Sequence, residues 1–242
     1  MRAYLLAAPG ALLLAAVLVG PLVGMARMSV YEPPRGRGFY APGTWTLENY
    51  AALQWHPVGA TLAFGVAVAV LVLGLALPLA FFVRGRGGAG VLVLLPKLAG
   101  AYACTFALQQ LLPRGFASAA LAEAYLVLPY AVLILVAQLA RIDPAYALAA
   151  RGLGASPRRA FFRVTLPLMR PSLVLAGQLA FAWGLGAFLG PLLLAGPDET
   201  TLAVELHRQA FEYGHWPRAA ANGVVLALLT ASAFAFRRRE LA

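Results

Sequence analysis

Six apolar stretches of roughly 20 residues, set between short arginine-bearing segments, constrain this sequence more than any other feature. A helix needs about 20 residues to cross a hydrocarbon core of about 30 Å, so runs of this length point to membrane spans rather than to one large soluble core. They fall at residues 4–25, 60–83, 90–112, 118–140, 171–194 and 218–236. Transmembrane barrel strands are shorter and alternate polar with apolar residues; these runs do neither. The expected fold is an all-α integral membrane protein, six transmembrane helices forming a single domain over residues 1–242. Composition agrees: 62% of the 242 residues are hydrophobic and 12% charged, against about 25% charged in ordinary soluble domains. Pro78, Pro96 and Pro129 lie inside the runs and predict kinks, which a membrane helix tolerates when neighbours satisfy the freed carbonyls.

The net charge of +10 invites a nucleic-acid reading, but the arginines sit between the spans rather than along one face, a pattern of topology. Nucleic acid is therefore not an expected partner; the lipid bilayer is. The stretch after Arg2 is longer than a signal h-region and reads as the first span. With six spans both termini share a side, and that side carries twelve of the nineteen basic residues: Arg2, Arg84, Arg86, Arg141, Arg151, Arg158, Arg159, Arg163, Arg170 and Arg237 to Arg239. The opposite side has Arg27, Arg35, Arg37, Arg114, Arg208 and Arg218. The excess places both termini in the cytoplasm. One cysteine, Cys104, rules out an internal disulfide framework, and His56, His207 and His215 lack metal-site spacing. No phosphate-cradling loop can be built, since Lys97 is the only lysine and is embedded in an apolar run. The chain is expected to have no ATPase site, no catalytic residues, no metal and no cofactor of its own.

Between the first two spans, Pro33-Pro34 and Pro42-Gly43 mark an irregular connection. Thr46 to Tyr50 then reads as a short amphipathic helix on the outer surface, with Thr46 as cap and Asn49 facing solvent.

The segment 141–170 is the most informative. Asp143-Pro144 is an N-cap followed by proline at the first helical position; Gly154 is a stop, and Ser156-Pro157 repeats the start signal. Two short helices are predicted, 145–153 and 158–166, the second ending near Pro167. The first carries Ala145, Ala149, Ala150 and Leu153; the second is basic through Arg158, Arg159 and Arg163.

Ala149-Ala150, Gly154, Val164 and Leu166-Pro167 agree in spacing with the cytoplasmic loop motif of permease subunits of binding-protein-dependent ABC importers, and the chain resembles that family. Gly186 to Pro191 and Trp216 to Ala220 look most like its putrescine/spermidine, iron(III), sulfate and thiamine branch. The motif's acid is replaced by Leu148. The resemblance implies a type I importer permease fold in a bacterial or archaeal inner membrane. It implies a coupling surface at Ala145, Leu148, Ala149, Ala150, Leu153, Gly154, Arg158 and Arg159, alternating access, and a small cargo such as a polyamine. The implied partners are a pair of ATPase subunits holding ATP and Mg, a second permease subunit, identical or homologous, and an extracytoplasmic solute-binding protein. A gradient-driven secondary transporter or channel is the alternative, but no internal repeat is evident.

Polar groups inside spans have two readings each. Lys97 lines the path or snorkels to the interface; Glu123 contacts a cationic cargo or sits at the outer boundary. Tyr102 and Gln178 are further path candidates, with interhelical hydrogen bonding as the other reading. Gly184, Gly186 and Gly190 serve close packing or a hinge. Asp198 to Thr201 greets a binding protein or is a solvated turn.

Overall fold

The structure, a computed structural model, describes residues 2–34, 38–85, 100–196 and 198–235. Lys97, Pro96 and the first half of the predicted third span lie outside them, as do Arg35, Arg37, Arg86 and Arg237 to Arg239. In order, the helices are α1 (Arg2–Met28), α2 (Glu48–Ala51), α3 (Trp55–Val83), α4 (Ala101–Leu111), α5 (Phe116–Arg141), α6 (Pro144–Gly152), α7 (Pro157–Leu168), α8 (Arg170–Leu185), α9 (Leu189–Leu194), α10 (Leu202–His207) and α11 (Trp216–Ala235). Among the described residues no strand forms; Tyr31 and Trp45 make an isolated antiparallel bridge.

Among the described residues three helices are long and apolar enough to cross a membrane: α3, α5 and α11 over Trp216–Phe234. A fourth candidate is the pair α7 and α8, bent by 67°. Two of the expected spans therefore differ from their sequence outline. The described part of the third is the 11-residue α4. The fifth, expected unbroken over 171–194, stops at Leu185 and restarts as the six-residue α9. Gly186 caps α8, and Phe188, with φ −120°, leaves helical geometry. Pro78 and Pro129 are accommodated inside continuous helices.

Two compact units are distinguished, and α3 passes from one to the other after its first residues. The first comprises Met1–Val58 and Leu202–Ser232. In it the connection after α1 is tied down by a residue expected in solvent. Asn49 is 5% exposed and its side-chain amide donates to the carbonyls of Ser29 and Tyr31, both at 2.9 Å. The physical reason is that these loop carbonyls have left the helix, and a buried acceptor needs a donor. The cap position is Leu47 rather than the expected Thr46, whose hydroxyl one residue earlier accepts the Glu48 N–H at 3.1 Å. Tyr31 stacks on Tyr40 with centroids 5.2 Å apart.

The second unit comprises Gly59–Thr201 and Ala233–Ala242. Its core joins α3 (Phe64, Val68, Val72), α5 (Val127, Leu135, Leu139) and α8 (Ala176, Ala180). Small residues bring α3 and α8 together: a β-carbon on Gly184 would stand 2.8 Å from the Gly65 Cα, so Gly184 packs where no side chain fits. Helix α5 also packs against α4 and α9. That arrangement brings one buried carboxylate to the α8–α9 junction.

Candidate functional site

Two places in the second unit gather the chemistry. The first is the elbow formed by α6 and α7. Asp143 Oδ1 accepts the Ala145 N–H at 2.8 Å and Pro144 occupies the first turn, so the start needs no outside donor or acceptor. At the other end Gly154 has φ +87°, a left-handed geometry that L side chains rarely adopt. Its N–H donates to the Arg151 carbonyl and the Ala155 N–H to the Ala150 carbonyl, both at 3.0 Å, the paired bonds of a Schellman ending. Ser156 Oγ accepts the Arg159 N–H at 3.3 Å to start α7.

No residue of α6 is buried. Leu148 is 62% exposed and Leu153 91%, with Arg151, Arg158 and Arg159 also exposed around them. The elbow is held from below by α7, where Ala160 is buried and the Phe161 ring meets Phe81 of α3 edge-on at 5.5 Å. Of the eight residues singled out for this surface, Ala145, Leu148, Ala149, Leu153, Gly154, Arg158 and Arg159 are exposed and Ala150 is half-buried. The second helix ends at Leu168, close to Pro167 as expected. A π turn over Phe161–Thr165 precedes the proline. Proline lacks an N–H and crowds the carbonyl four residues back; the wider turn relieves both. The chain bends after Leu168, where buried Met169 donates to the Thr165 and Leu166 carbonyls at 3.1 Å.

The second place centres on Glu123 of α5. Its side chain is 3% exposed; Oε1 accepts the Gly190 N–H at 2.8 Å and Oε2 the Trp183 indole N–H at 3.1 Å. Trp183 belongs to α8 and Gly190 to α9, so one carboxylate spans the interruption between them. The Trp183 ring lies 5.9 Å from Tyr130 of α5. Beside this clasp is a cavity of about 350 Å³ lined by Glu123, Ala101, Leu126, Trp183, Phe188 and Leu189 among others. Its wall is largely apolar, with the Glu123 carboxylate as the charged group on it.

The other path candidates do not meet there. Tyr102 is 62% exposed, its ring parallel to that of Phe106 at 6.4 Å. Gln178 lies on α8 away from the cavity wall, its buried Oε1 without a hydrogen-bond partner among the described residues. Lys97 falls outside those residues. Glu199, in the acidic turn, folds back so that its carboxylate accepts the Gly196 N–H at 2.8 Å. Sequence reasoning missed Trp183 and Gly190 as partners of Glu123. A signal was present in Gly186 and Gly190-Pro191, which interrupt an otherwise helical apolar run.

Curated relatives are similar over parts of the chain. The inner membrane ABC transporter permease protein YdcU of Escherichia coli (strain K12) is 35% identical over 115 residues, 48% of this chain and 36% of that protein. The molybdenum transport system permease protein ModB of Mycobacterium tuberculosis (strain ATCC 25618 / H37Rv) is 38% identical over 38% of this chain and 36% of its own length. The spermidine/putrescine transport system permease protein PotB of Escherichia coli (strain K12) is 28% identical over 43% of this chain and 38% of its own. The chain thus spans little more than a third of the length of these relatives. In three dimensions the likeness is broader. A chain from a bacterial ABC transporter involved in the import of the acidic polysaccharide alginate superposes with a TM-score of 0.69, over 98% of this chain and 96% of that one, at 17% identity. The shared architecture is the type I importer permease fold. Residues 62–239 match the family described as binding-protein-dependent transport system inner membrane component, and the chain belongs to that family.

Proposed function

We propose that this chain is the membrane-spanning subunit of an ATP-driven importer, pairing with itself or a homologous subunit around a translocation path. It meets two ATPase subunits on the cytoplasmic side and a solute-binding protein on the other. Both termini are cytoplasmic in this reading, which rests on the arginine excess of that side. ATP and Mg belong to the partner subunits.

The observation that carries the reading is the elbow: a helix with no buried residue, closed at both ends by its own hydrogen bonds and braced on α3 through Phe161. A surface of this kind moves as a lever when a partner moves. Leu148 and Leu153 supply its apolar contact, Arg158 and Arg159 its charge, and Ala145, Ala149 and Ala150 its close-fitting faces. Gly154 fixes the angle. Because the motif acid is Leu148, the contact at that point is apolar.

The cargo is a small solute such as a polyamine. Support comes from the similarity to a spermidine/putrescine permease and from the cavity beside Glu123, whose carboxylate gives that wall a negative charge. Tyr102, Gln178 and Lys97 remain path candidates for the assembled dimer. Tagging the chain in its native membrane, solubilising it gently and identifying its companions by mass spectrometry tests the assembly. A stoichiometric ATPase subunit is the expected companion. Isolation without one, together with ATP-independent transport in vesicles, would replace this reading with a gradient-driven transporter.

A further inference from the structure

The interruption between α8 and α9 is held from one side by a single side chain. Glu123 Oε2 takes the Trp183 indole N–H before the break and Oε1 the Gly190 amide N–H after it. The approach to Gly190 is so close that a β-carbon there would lie 2.8 Å from the Glu123 Cγ and 2.9 Å from the Ala119 carbonyl oxygen. Gly186, at the break, is exposed and has only the Ala182 and Trp183 carbonyl oxygens within 4 Å of a notional β-carbon, each at 3.9 Å, so the break is not crowded as Gly190 is. The cavity wall is made of the residues this arrangement sets in place: Trp183, Phe188 and Leu189 from the interrupted segment, Glu123 and Leu126 from α5.

We propose that Glu123 is a positioning residue, a clasp that builds the cavity by fixing both ends of the break to α5, and whose release lets α9 move relative to α8. This assignment rests on the importer reading for its consequence in transport, though not for the clasp itself. These two hydrogen bonds both come from N–H donors, so each oxygen must accept, which a carboxylate does. A glutamine at this position accepts one N–H and turns its own NH2 against the other, donor against donor. Removing the indole donor relieves that conflict.

The test is a cycle of Glu123→Gln, Trp183→Phe and the double variant, made in the assembly as isolated and held in lipid nanodiscs. Deuterium uptake of the segment 186–195 reports the clasp without cargo or nucleotide. Expected is a several-fold faster uptake in Glu123→Gln, a smaller rise in Trp183→Phe, and a double variant no worse than Trp183→Phe alone. Uptake in Glu123→Gln equal to that of the unaltered protein would overturn the clasp, as would effects that multiply in the double variant. If Glu123→Gln does not insert, Trp183→Phe alone decides: uptake of 186–195 must rise there, and an unchanged value rejects the proposal. In parallel, ATP-driven putrescine uptake should show a KM raised several-fold in Glu123→Gln, brought back towards that of Trp183→Phe in the double variant. Absence of putrescine uptake in the unaltered assembly would count against the cargo reading alone, leaving the exchange result to judge the clasp.

Discussion

Glu123 and Gly190 fit together only because one of them has no side chain: the carboxylate holds the glycine amide at 2.8 Å, and a β-carbon on that glycine would sit 2.8 Å from Glu123 Cγ. Gly190→Ala must therefore move α9 or eject the carboxylate. A loss of about 1–3 kcal/mol is expected, typical of overpacking a filled site. Thermal unfolding in detergent, compared with Gly186→Ala at the roomier break, measures it; equal melting temperatures would count against the fit.

Between α3 and α8 the expected order of sensitivity is set by what the added methyl would strike. At Gly184 it meets backbone, the Gly65 Cα at 2.8 Å, whereas at Gly177 it meets the Leu73 Cδ1 at 3.1 Å, the flexible end of a side chain. Gly184→Ala should destabilise the protein more than Gly177→Ala, by about 1 kcal/mol or more. The reverse ranking in unfolding experiments would contradict the packing described.

The elbow predicts a separation of insertion from coupling. Gly154→Val places a branched side chain at φ +87°, where the left-handed conformation costs roughly 1–2 kcal/mol per residue and more for a β-branched one. Membrane insertion should be preserved while ATP-driven uptake falls about tenfold or more, a change worth about 1.4 kcal/mol in coupling. Uptake assays normalised to the inserted amount provide the check.

Asn49→Leu removes the donor for the Ser29 and Tyr31 carbonyls at once. An orphaned buried acceptor costs about 1–3 kcal/mol, and this cost falls on a loop rather than a span. Limited proteolysis should cut the segment 29–50 faster in the variant, with spans α3 and α5 undisturbed.

The elbow was legible because its determinants are local: Asp143-Pro144, Gly154 and Ser156-Pro157 each act on backbone groups within a few residues, and each forms the bond its position calls for. The positions of α3, α5 and α11 were legible for the same reason, hydropathy being a property of the run itself, whereas hydropathy alone did not show the interruption of the fifth run. The Glu123 clasp joins residues 60 and 67 positions apart, and nothing in the sequence pairs a carboxylate with a particular amide at that distance. Asn49 was misplaced because its helix reads as amphipathic on its own; the carbonyls that bury it belong to the end of another element. The break at 186–188 falls between these cases, since its glycines are visible and their effect depends on what α5 offers them.

The π turn at Phe161–Thr165 has a consequence for how the elbow's direction is inherited. A π turn accommodates one residue more than the α-helix around it, and one residue of α-helix is 100° of rotation and 1.5 Å of advance. Because the wider turn takes up the extra residue, the flanking helical stretches keep nearly the register of an uninterrupted helix, and deleting one residue here would restore regular winding with the face that bears Leu148 and Leu153 aimed nearly as before. The π turn thus makes the elbow's aim tolerant of a one-residue deletion within it, whereas the same deletion in the regular helix of α8 would turn the face by about 100°.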